Sequence, residues 1–226
     1  MKKIIFGIFA HPDDEAFGPA GTLLLETKSG TELHLFTLTN GSAGMNPDNV
    51  PDLGAHRLEE WHQAGRLLGA TTMRHLGYTD GTLCTNDMIA IQQTLLNDIT
   101  KILTDNPNVT AEIMTFETNG LTGHIDHIVA SRAANYVFEK LKIAGFSVVL
   151  RMFCLSRDTD PENNTDWLFM NAGKTNDEIN QTIDARHLRD DILTIMQAHA
   201  SQKKDYEYQV RHQGDALGLN HFIVRS

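Results

Sequence analysis

The chain has 226 residues, a formal net charge of −10 and an isoelectric point near 5.5. An acidic surface repels nucleic acid and anionic membranes alike. Since the chain has no basic run to offset that repulsion, we expect neither as a partner. Hydrophobic residues (41%) and charged residues (21%) are present in the proportions of an ordinary globular protein. A chain of this length buries one core, so we expect a single domain over residues 1–226.

Two features of the sequence bear on where the protein works. The two cysteines, Cys84 and Cys154, lie far apart and form no CxxC motif, which is typical of a reduced, cytoplasmic protein. The basic start and short apolar run at residues 2–10 resemble a signal peptide. No small-residue cleavage site follows, so we interpret the run as a buried strand. No stretch approaches transmembrane length. The sequence leaves the oligomeric state open, and a homo-oligomer is possible.

Short apolar runs alternate with longer amphipathic runs along the chain. In chain order they predict a strand at 3–10, a helix at 17–29, a strand at 32–39, a helix at 55–69, a strand at 72–76, a helix at 86–104, a strand at 110–117, a helix at 124–142, a strand at 147–155 and a helix at 177–200. This alternation predicts an α/β fold with a Rossmann-like, mainly parallel sheet and helices on both faces. The polar stretch 156–176 we interpret as a long surface loop or a lid.

Polar segments follow four of the predicted strands. In an open parallel sheet, ligands bind beyond the carboxyl ends of the strands. We therefore expect one crevice to be lined by the segments that follow the first four strands, at residues 11–15, 40–46, 77–81 and 118–127. The G-x-G-x-x-G motif of dinucleotide-binding folds does not follow the first strand, so we do not expect a dinucleotide there.

The first of these segments, residues 11–15, combines a histidine with three consecutive acids. Adjacent carboxylates repel one another unless a cation relieves them. His11 and Asp14 are three residues apart at a predicted helix start, so both can point to one side, and imidazole with carboxylate is suitable ligation for zinc. Asp13 would then lie beside a water molecule on the metal and could accept its proton. Acids that merely favour the positive end of a helix dipole are the competing interpretation, which does not explain His11.

The second segment, residues 123–127, reads Gly-His-Ile-Asp-His and also opens a helix after a strand. His124 and His127 lie on one face of that helix, and Asp126 lies on another. If the two strands are parallel, His127 joins the two ligands of the first segment as a third. A fourth position is then left for water, as in catalytic zinc sites. His124 would contact the substrate, and Asp126 would orient an imidazole.

Together the two motifs resemble those of the LmbE-like/PIG-L deacetylases, at residues 10–15 (Ala-His-Pro-Asp-Asp-Glu) and 123–127. That family includes the N-acetylglucosaminyl-phosphatidylinositol de-N-acetylases and the deacetylases of mycothiol and bacillithiol synthesis. Further segments with counterparts in the family pattern lie at 39–44, 57–64, 76–81 and 198–202. The resemblance therefore covers most of the chain, and the first two motifs are its most specific part.

The resemblance implies a hydrolase that removes an N-acetyl group from an N-acetylglucosamine-type small molecule. It implies one Zn²⁺ per chain, or another divalent metal such as Fe²⁺, held by His11, Asp14 and His127. It also implies Asp13 as the general base. A carboxylate beside a water molecule on the metal is suited to that task, so the interpretation from the residues and the resemblance agree.

The remaining site residues depend more heavily on the resemblance. It implies His124 as a charged helper at the oxyanion, and we expect Asp126 to favour the charged form of that ring. It implies Arg57 and Asp80 as sugar-contacting residues. His199 we interpret as substrate-binding or as a cation that favours the end of a helix dipole.

Two alternatives from other functional classes stay open. A non-catalytic sugar- or nucleotide-binding protein could keep the same fold and metal, although the intact Asp13 and His124 disfavour it. A metallophosphoesterase also uses clusters of histidine and aspartate, but it needs further carboxylates that bridge two metals, and the second motif offers only Asp126.

Overall fold

Strands and helices alternate along the chain in a computed structural model, which describes residues 2–157 and 173–226. Within those ranges one sheet contains the strands β1 (Lys2–Phe9), β2 (Glu32–Thr39), β3 (Thr72–Tyr78), β4 (Val109–Phe116), β5 (Val148–Cys154), β6 (Gln181–Asp184) and β7 (Leu219–Arg225). Their spatial order is β3-β2-β1-β4-β5-β7-β6. The first five strands are parallel, and β7 pairs antiparallel with both β5 and β6. The predicted α/β fold with a mainly parallel sheet is confirmed.

The strand order changes direction between β1 and β4. The chain places β2 and β3 on one side of β1, and then places β4 and β5 on the other side. Ligand-binding crevices of open α/β sheets lie beyond the carboxyl ends of the strands at such a reversal. The two predicted motifs follow β1 and β4, so the fold delivers both motifs to this one crevice.

Helices cover both faces of the sheet. They are α1 (Asp14–Phe17), α2 (Ala20–Lys28), α3 (Leu53–Leu68), α4 (Thr85–Asp105), α5 (Gly120–Gly123), α6 (Ile125–Ile143), α7 (Arg189–Gln197) and α8 (Lys203–Gln213). In β1, Ile4, Phe6 and Ile8 pack in the core under α4 and α6, whereas Ile5 and Phe9 pack under α2, α3 and α7. This alternation follows from the two-residue period of a strand. No helix in the described ranges is long and apolar enough to cross a membrane.

The ends of α3 show how local sequence sets a boundary. The side chain of Asp52 accepts a hydrogen bond from the Ala55 backbone N–H at 3.0 Å, which caps the first turn. Gly69 follows the last turn with φ 74°, a left-handed conformation that glycine adopts without steric cost. The helix predicted at 55–69 is thereby confirmed within two residues at its start and one at its end.

The prediction of one helix at 177–200 is wrong in its first part. β6 forms there instead, because Gln181–Asp184 pairs antiparallel with β7. The side-chain amide of Asn180 supports this pairing, since it donates to the Val224 carbonyl at 3.0 Å and accepts from the Val224 N–H at 2.7 Å. The α-helix proper is α7, which begins only at Arg189. Neither α8 nor β7 was predicted from the sequence pattern.

The helix predicted at 17–29 starts earlier, as the short α1, and is interrupted at Gly18 and Pro19 before α2 begins, since proline has no N–H to continue the first helix.

Of the loop or lid predicted at 156–176, residues 158–172 lie outside the described residues. At its two ends, Ser156 and Lys174 form an isolated parallel bridge.

Candidate metal-binding and catalytic site

The loops after β1 and β4 bring His11, Asp14 and His127 together. His11 Nδ1 lies 3.0 Å from His127 Nε2 and 3.8 Å from Asp14 Oδ2. Asp14 Oδ1 lies 3.3 Å from His127 Nε2. All three residues are buried. The structure therefore places the three predicted metal ligands within contact distance of one another.

Hydrogen bonds behind the two rings decide which nitrogen faces the site. His127 Nδ1 lies 2.9 Å from the Gly120 carbonyl oxygen, which only accepts, so Nδ1 donates and Nε2 keeps its lone pair. His11 Nε2 lies 2.9 Å from Asp80 Oδ1 and 3.3 Å from Asp126 Oδ2, and donates to these carboxylates. In neutral rings, the two nitrogens that face each other at 3.0 Å are therefore both acceptors. Such an arrangement needs either a proton or a metal ion between the two nitrogens. Burial lowers the pKa of His11, but the hydrogen bonds to Asp126 and Asp80 raise it to about 10, so a metal ion would take the place of a proton there. Metal-binding histidines are oriented in this way.

Asp14 divides its two oxygens between the backbone and the site. Oδ2 accepts from the backbone N–H groups of Ala10 at 3.0 Å and His11 at 2.8 Å, and Oδ1 is left to face His127. Burial opposes ionisation of Asp14, but the charge and hydrogen bond of His127, together with the charge and backbone N–H of His11, outweigh it and hold the pKa of this carboxyl well below its usual range. Tetrahedral zinc with bonds of about 2.0–2.1 Å holds its ligand atoms about 3.3 Å apart. The donor set and its spacing fit such an ion.

Gly120 supplies a test of this arrangement that needs no substrate. Its φ is +70°, and a Cβ placed there would lie 2.8 Å from the Cβ of His127. We expect Gly120→Ala to displace the His127 ring, weakening metal binding and lowering the melting temperature. Gly145→Ala is the matched control, since Gly145 has a φ of +87° but nothing within 4 Å of the added carbon. It should cost only the backbone strain, about 1–2 kcal/mol. Equal metal affinities in the two variants would contradict the predicted role of Gly120.

Asp126 orients His11 rather than His124. Its carboxylate accepts from the backbone N–H groups of Gly81 at 2.8 Å and Leu83 at 3.1 Å, as well as from His11. Burial opposes ionisation, but the hydrogen bonds from His11 and Gly81 lower the pKa of Asp126. The second motif was predicted to orient an imidazole, and the structure shows that imidazole to be the one from the first motif.

His124 carries its hydrogen on the nitrogen away from α6. Its Nδ1 accepts from the backbone N–H of Asp126 at 3.1 Å and so caps the helix, which leaves the hydrogen on Nε2 in the neutral ring. Burial and the charges of His11 and His127 lower the pKa of His124, and Asp126 does not offset them. Asp126 does favour the charged ring, but the expectation that it keeps this ring charged is wrong. A ring nitrogen of His124 also lies within 4.8 Å of those of His11 and His127. Because Nδ1 is occupied and Nε2 bears hydrogen, Asp14 remains the better third ligand.

Asp13 occupies an unusual backbone conformation at the start of α1. Its φ is 111° and its ψ is −23°, which non-glycine residues rarely adopt and which costs about 1–3 kcal/mol. Its N–H donates to Glu15 Oε2 at 3.2 Å. Burial raises the pKa of Asp13 to about 6, although the charge of Arg57 opposes the rise. A carboxylate with such a pKa is suited to accepting and returning a proton near neutral pH.

Arg57 holds Asp13 from the side of α3. Its Nη2 donates to Asp13 Oδ2 at 2.7 Å and to the Pro12 carbonyl at 2.6 Å, and its Nη1 donates to the Gly41 carbonyl at 2.7 Å. The residue is buried and lines the cavity. Its predicted contact with a sugar stays a prediction, and the structure adds that the guanidinium fixes the neighbouring carboxylate.

Asp80 lies on the cavity wall and has two hydrogen-bond donors. It accepts from the Ala43 backbone N–H at 2.8 Å and from His11 Nε2 at 2.9 Å. Burial opposes ionisation, but the hydrogen bond from His11 lowers the pKa of Asp80. A sugar contact by this residue is still a prediction, and its observed contact is with the metal-site histidine.

His199 does not reach the cavity, so the interpretation of this residue as substrate-binding is wrong. It is fully buried, and its Nε2 lies 2.9 Å from Glu15 Oε1. Burial would lower the pKa of His199, but Glu15 raises it. Since Glu15 in turn accepts from the Asp13 N–H, His199 supports the loop that carries Asp13 from behind.

The cavity over these residues has a volume of about 480 Å³, which is in the range of small-molecule sites. One of its walls was missed in the sequence. It is formed by Gln202, at the end of the short 3₁₀ helix before α8, and by Asp205, Tyr208 and Gln209 of α8. The i, i+3, i+4 spacing of the last three is the signal that could have identified them as one face of a helix. Burial raises the pKa of Asp205, and the charge of Arg57 opposes the rise.

Among proteins of known activity, two relatives illustrate the similarity of the sequence. A 1D-myo-inositol 2-acetamido-2-deoxy-alpha-D-glucopyranoside deacetylase of Salinispora arenicola is 32% identical over 159 residues, which cover 62% of this chain and 52% of that protein. A probable N-acetyl-alpha-D-glucosaminyl L-malate deacetylase 2 of Bacillus anthracis is 28% identical over 91% of this chain and 88% of that protein. The chain thus matches about half the length of the first relative and most of the second.

Solved structures show the same fold. The N,N'-diacetylchitobiose deacetylase of Pyrococcus horikoshii aligns with a TM-score of 0.63 at 22% identity, over 99% of this chain and 83% of that chain. GalB, the 4-carboxy-2-hydroxymuconate hydratase of Pseudomonas putida, aligns with a TM-score of 0.66 at 15% identity, over 100% and 97%. Because a hydratase and a deacetylase share the fold, the fold does not decide the reaction.

The family is decided by the sequence. The model of the family PIG-L, described as GlcNAc-PI de-N-acetylase, matches residues 6–138, which is more than half of the chain. The match includes the second half of β1, all of β4 and both motifs, and so includes each of the three predicted metal ligands. On this basis the chain belongs to the PIG-L family of GlcNAc-PI de-N-acetylases.

Proposed function

We propose that this protein is a zinc-dependent hydrolase that removes the N-acetyl group from an N-acetylglucosamine-type small molecule. The observation that carries the proposal is the pair of facing ring nitrogens on His11 and His127, which lie beside the Asp14 carboxylate in a cavity that also contains Asp13. Family membership and the names of the two relatives support it. His11, Asp14 and His127 would hold one metal ion per chain, with Fe²⁺ as the other candidate.

The proton transfers fall to residues of the chain. A divalent cation supplies Lewis-acid chemistry at such a site when it is bound. Asp13 accepts a proton from the attacking water and then gives it to the departing amine, and a pKa of about 6 suits both steps. One water molecule is consumed, the amide C–N bond breaks, and acetate and a primary amine are released.

His124 has a separate part in the proposal. Its Nδ1 is occupied by the helix N–H, so the neutral ring presents an Nε2–H. The residue lines the cavity, and this N–H is the donor that the chain offers to the developing oxyanion. A neutral donor performs this task without the charged ring that the sequence led us to expect.

The observed contacts disfavour the two alternatives. A metallophosphoesterase needs carboxylates that bridge two metals. Asp80 and Asp126 form a second candidate group with His11, but both contact His11 Nε2, and Asp126 also accepts the backbone N–H groups of Gly81 and Leu83. A purely binding protein has no need of a carboxylate held in a strained conformation by a buried arginine, as Asp13 is. A cytoplasmic location, a substrate free in solution and a single domain over residues 1–226 remain predictions.

The experiment that tests the proposal measures metal content and acetate release together. We expect about one equivalent of metal per chain. We also expect acetate and a primary amine to be released from at least one member of a panel of N-acetylglucosamine glycosides. Chelation should abolish the activity, and added Zn²⁺ or Fe²⁺ should restore it. Two metals per chain would favour the phosphoesterase, whereas binding of the glycosides without acetate release would favour the binding protein.

Arg57→Met is expected to move the pH dependence of the reaction. The charge of Arg57 lowers the pKa of Asp13, so its removal raises that pKa above about 6. Asp13 must be ionised to act as the base, and the acid limb of kcat/KM should therefore shift to higher pH. The buried carboxylate loses its partner, which costs about 3–5 kcal/mol of stability. Arg66→Met, at an exposed position of the same helix, is the control and should leave the limb in place. An unshifted limb in Arg57→Met would show that another group titrates.

A further inference from the structure

The cavity wall formed by α8 lies outside the part of the chain that the family model matches, which ends at residue 138. Asp205, Tyr208 and Gln209 are half-buried and line the cavity, whereas Lys203 and Glu207 of the same helix are exposed. The residues proposed for the chemistry, Asp13 and His124, lie in the two motifs and not in this wall. It is therefore the part of the site that this chain can vary without altering the chemistry.

Among the residues that the structure describes, the wall and the rest of the cavity lining offer no unpaired lysine or arginine. Among the described residues that line the cavity, Arg57 is the single lysine or arginine, and its guanidinium is already paired with Asp13. Asp13, Asp14 and Asp80 each contact a positive or hydrogen-donating partner in the site. For Asp205, no ion pair occurs within the described part of the chain.

The nearest basic residues of α8 are directed elsewhere. The side chain of Lys203 is 74% exposed and lies 3.7 Å from Glu207 on the outer face of the helix. Lys204 is also exposed and does not line the cavity. The sequence of residues 158–172 contains four acids and no lysine, arginine or histidine, so that segment offers no positive charge either.

We propose that the group attached to the N-acetyl sugar is uncharged and rich in hydroxyl groups, and that Asp205 disfavours substrates with a carboxylate or phosphate there. A second negative charge beside a half-buried carboxylate is repelled. The charge of Arg57 reaches Asp205, but its guanidinium is already paired with Asp13 and does not compensate a further anion. Asp205, Gln209 and Gln202 instead offer acceptors and amide groups suited to hydroxyls. This inference rests on the proposed deacetylase function and adds the class of substrate.

The inference separates the activities named for the two relatives. A sugar-linked inositol has only hydroxyl groups on its attached ring, whereas a sugar-linked malate carries two carboxylates. Relatives of both kinds match this chain over about nine tenths of its length, the malate deacetylase over 91% and an inositol-type deacetylase of Mycobacterium sp. (strain KMS) over 89%. Overall similarity therefore does not choose between the two substrates, whereas the charge on the α8 wall does, and this expectation can be tested.

The experiment uses two probes of the same shape, N-acetyl-α-D-glucosaminyl L-malate and its uncharged diamide, with acetate release as the readout. We expect kcat/KM of the full chain to favour the diamide by about tenfold or more. Asp205→Lys should shift the ratio towards the malate by about tenfold or more, and Asp205→Asn should shift it in the same direction by less. Glu207→Lys changes the net charge equally but on the outer face, and should leave the ratio unchanged.

The outcomes distinguish the two proposals. A wild-type ratio near one or in favour of the malate, or a ratio that Asp205→Lys does not move, overturns the inference about charge while the deacetylase function stands. If neither probe nor any member of the glycoside panel releases acetate, the deacetylase function fails. Calorimetric binding of the malate and of the diamide to the wild-type chain then still tests the charge preference, because binding does not require turnover.

Discussion

Asp13→Asn should lower kcat by about 100-fold or more while the protein keeps its fold and its metal. Asparagine has the same shape as aspartate and tolerates positive φ, so the conformation at φ 111° is kept. Its amide oxygen can still accept from Arg57, but the neutral amide cannot take a proton from water. The measurement is single-turnover acetate release, with metal content and melting temperature determined on the same sample.

The control for this variant is Asp191→Asn, which makes the same change at an exposed position of α7. Asp191 pairs with Lys28 at the surface, where an ion pair contributes little to stability. It should retain wild-type activity. If Asp13→Asn also retained full activity, Asp13 could not be the base, and the strained backbone at that position would need another explanation.

His11→Ala should remove the metal and, with it, the activity. The ring contributes Nδ1 to the cluster, and its Nε2–H holds Asp80 and Asp126 in place. Without the ring, one ligand is lost and two buried carboxylates face each other without their donor. Since loss of a residue that only supports a metal ligand already weakens binding by about 10–100-fold, we expect loss of the ligand to exceed 100-fold. Metal content after dialysis and acetate release measure the two effects.

His34→Asn is the matched control, because His34 is another buried histidine with polar contacts but lies away from the site. Its Nδ1 is 2.7 Å from Thr72 Oγ1, and its ring stacks on Phe6 with centroids 5.3 Å apart. This variant should lower the melting temperature and leave metal content intact. Metal loss of the same size in His34→Asn and His11→Ala would mean that general destabilisation, not ligation, empties the site.

The parallel half of the sheet could be predicted from sequence because its signals are local. β2 occurs at the predicted residues 32–39, and the other four parallel strands agree within two residues. The remainder could not be predicted in this way. β6 forms because residues 181–184 pair with β7, which lies about forty positions later in the chain. No periodicity within 177–200 predicts that pairing. In α8, only Tyr206 and Val210 pack on the core, which is too narrow an apolar stripe to recognise.

The same distinction between local and long-range signals applies to the site. The ligands lie in two short motifs at strand ends, so their types and spacing predict a metal cluster, and the fold brings them together. The hydrogen bonds that select the ring nitrogens come from Gly120, Asp80 and Asp126, whose partners only the folded chain reveals. Sequence likewise suggested a cavity contact for His199, which is instead buried behind the site against Glu15.

The position of β7 has a consequence for synthesis. β7 lies between β5 and β6 in the sheet, although β6 is made first. A ribosome therefore delivers five parallel strands with an open edge at β5, and delivers β6 before its partner exists. Asn220 of β7 also accepts from the N–H and hydroxyl of Thr22, a residue made 198 positions earlier. Contacts this distant slow folding, and an unpaired strand edge is prone to association. Nascent chains halted before residue 219 are thus the form most in need of chaperones.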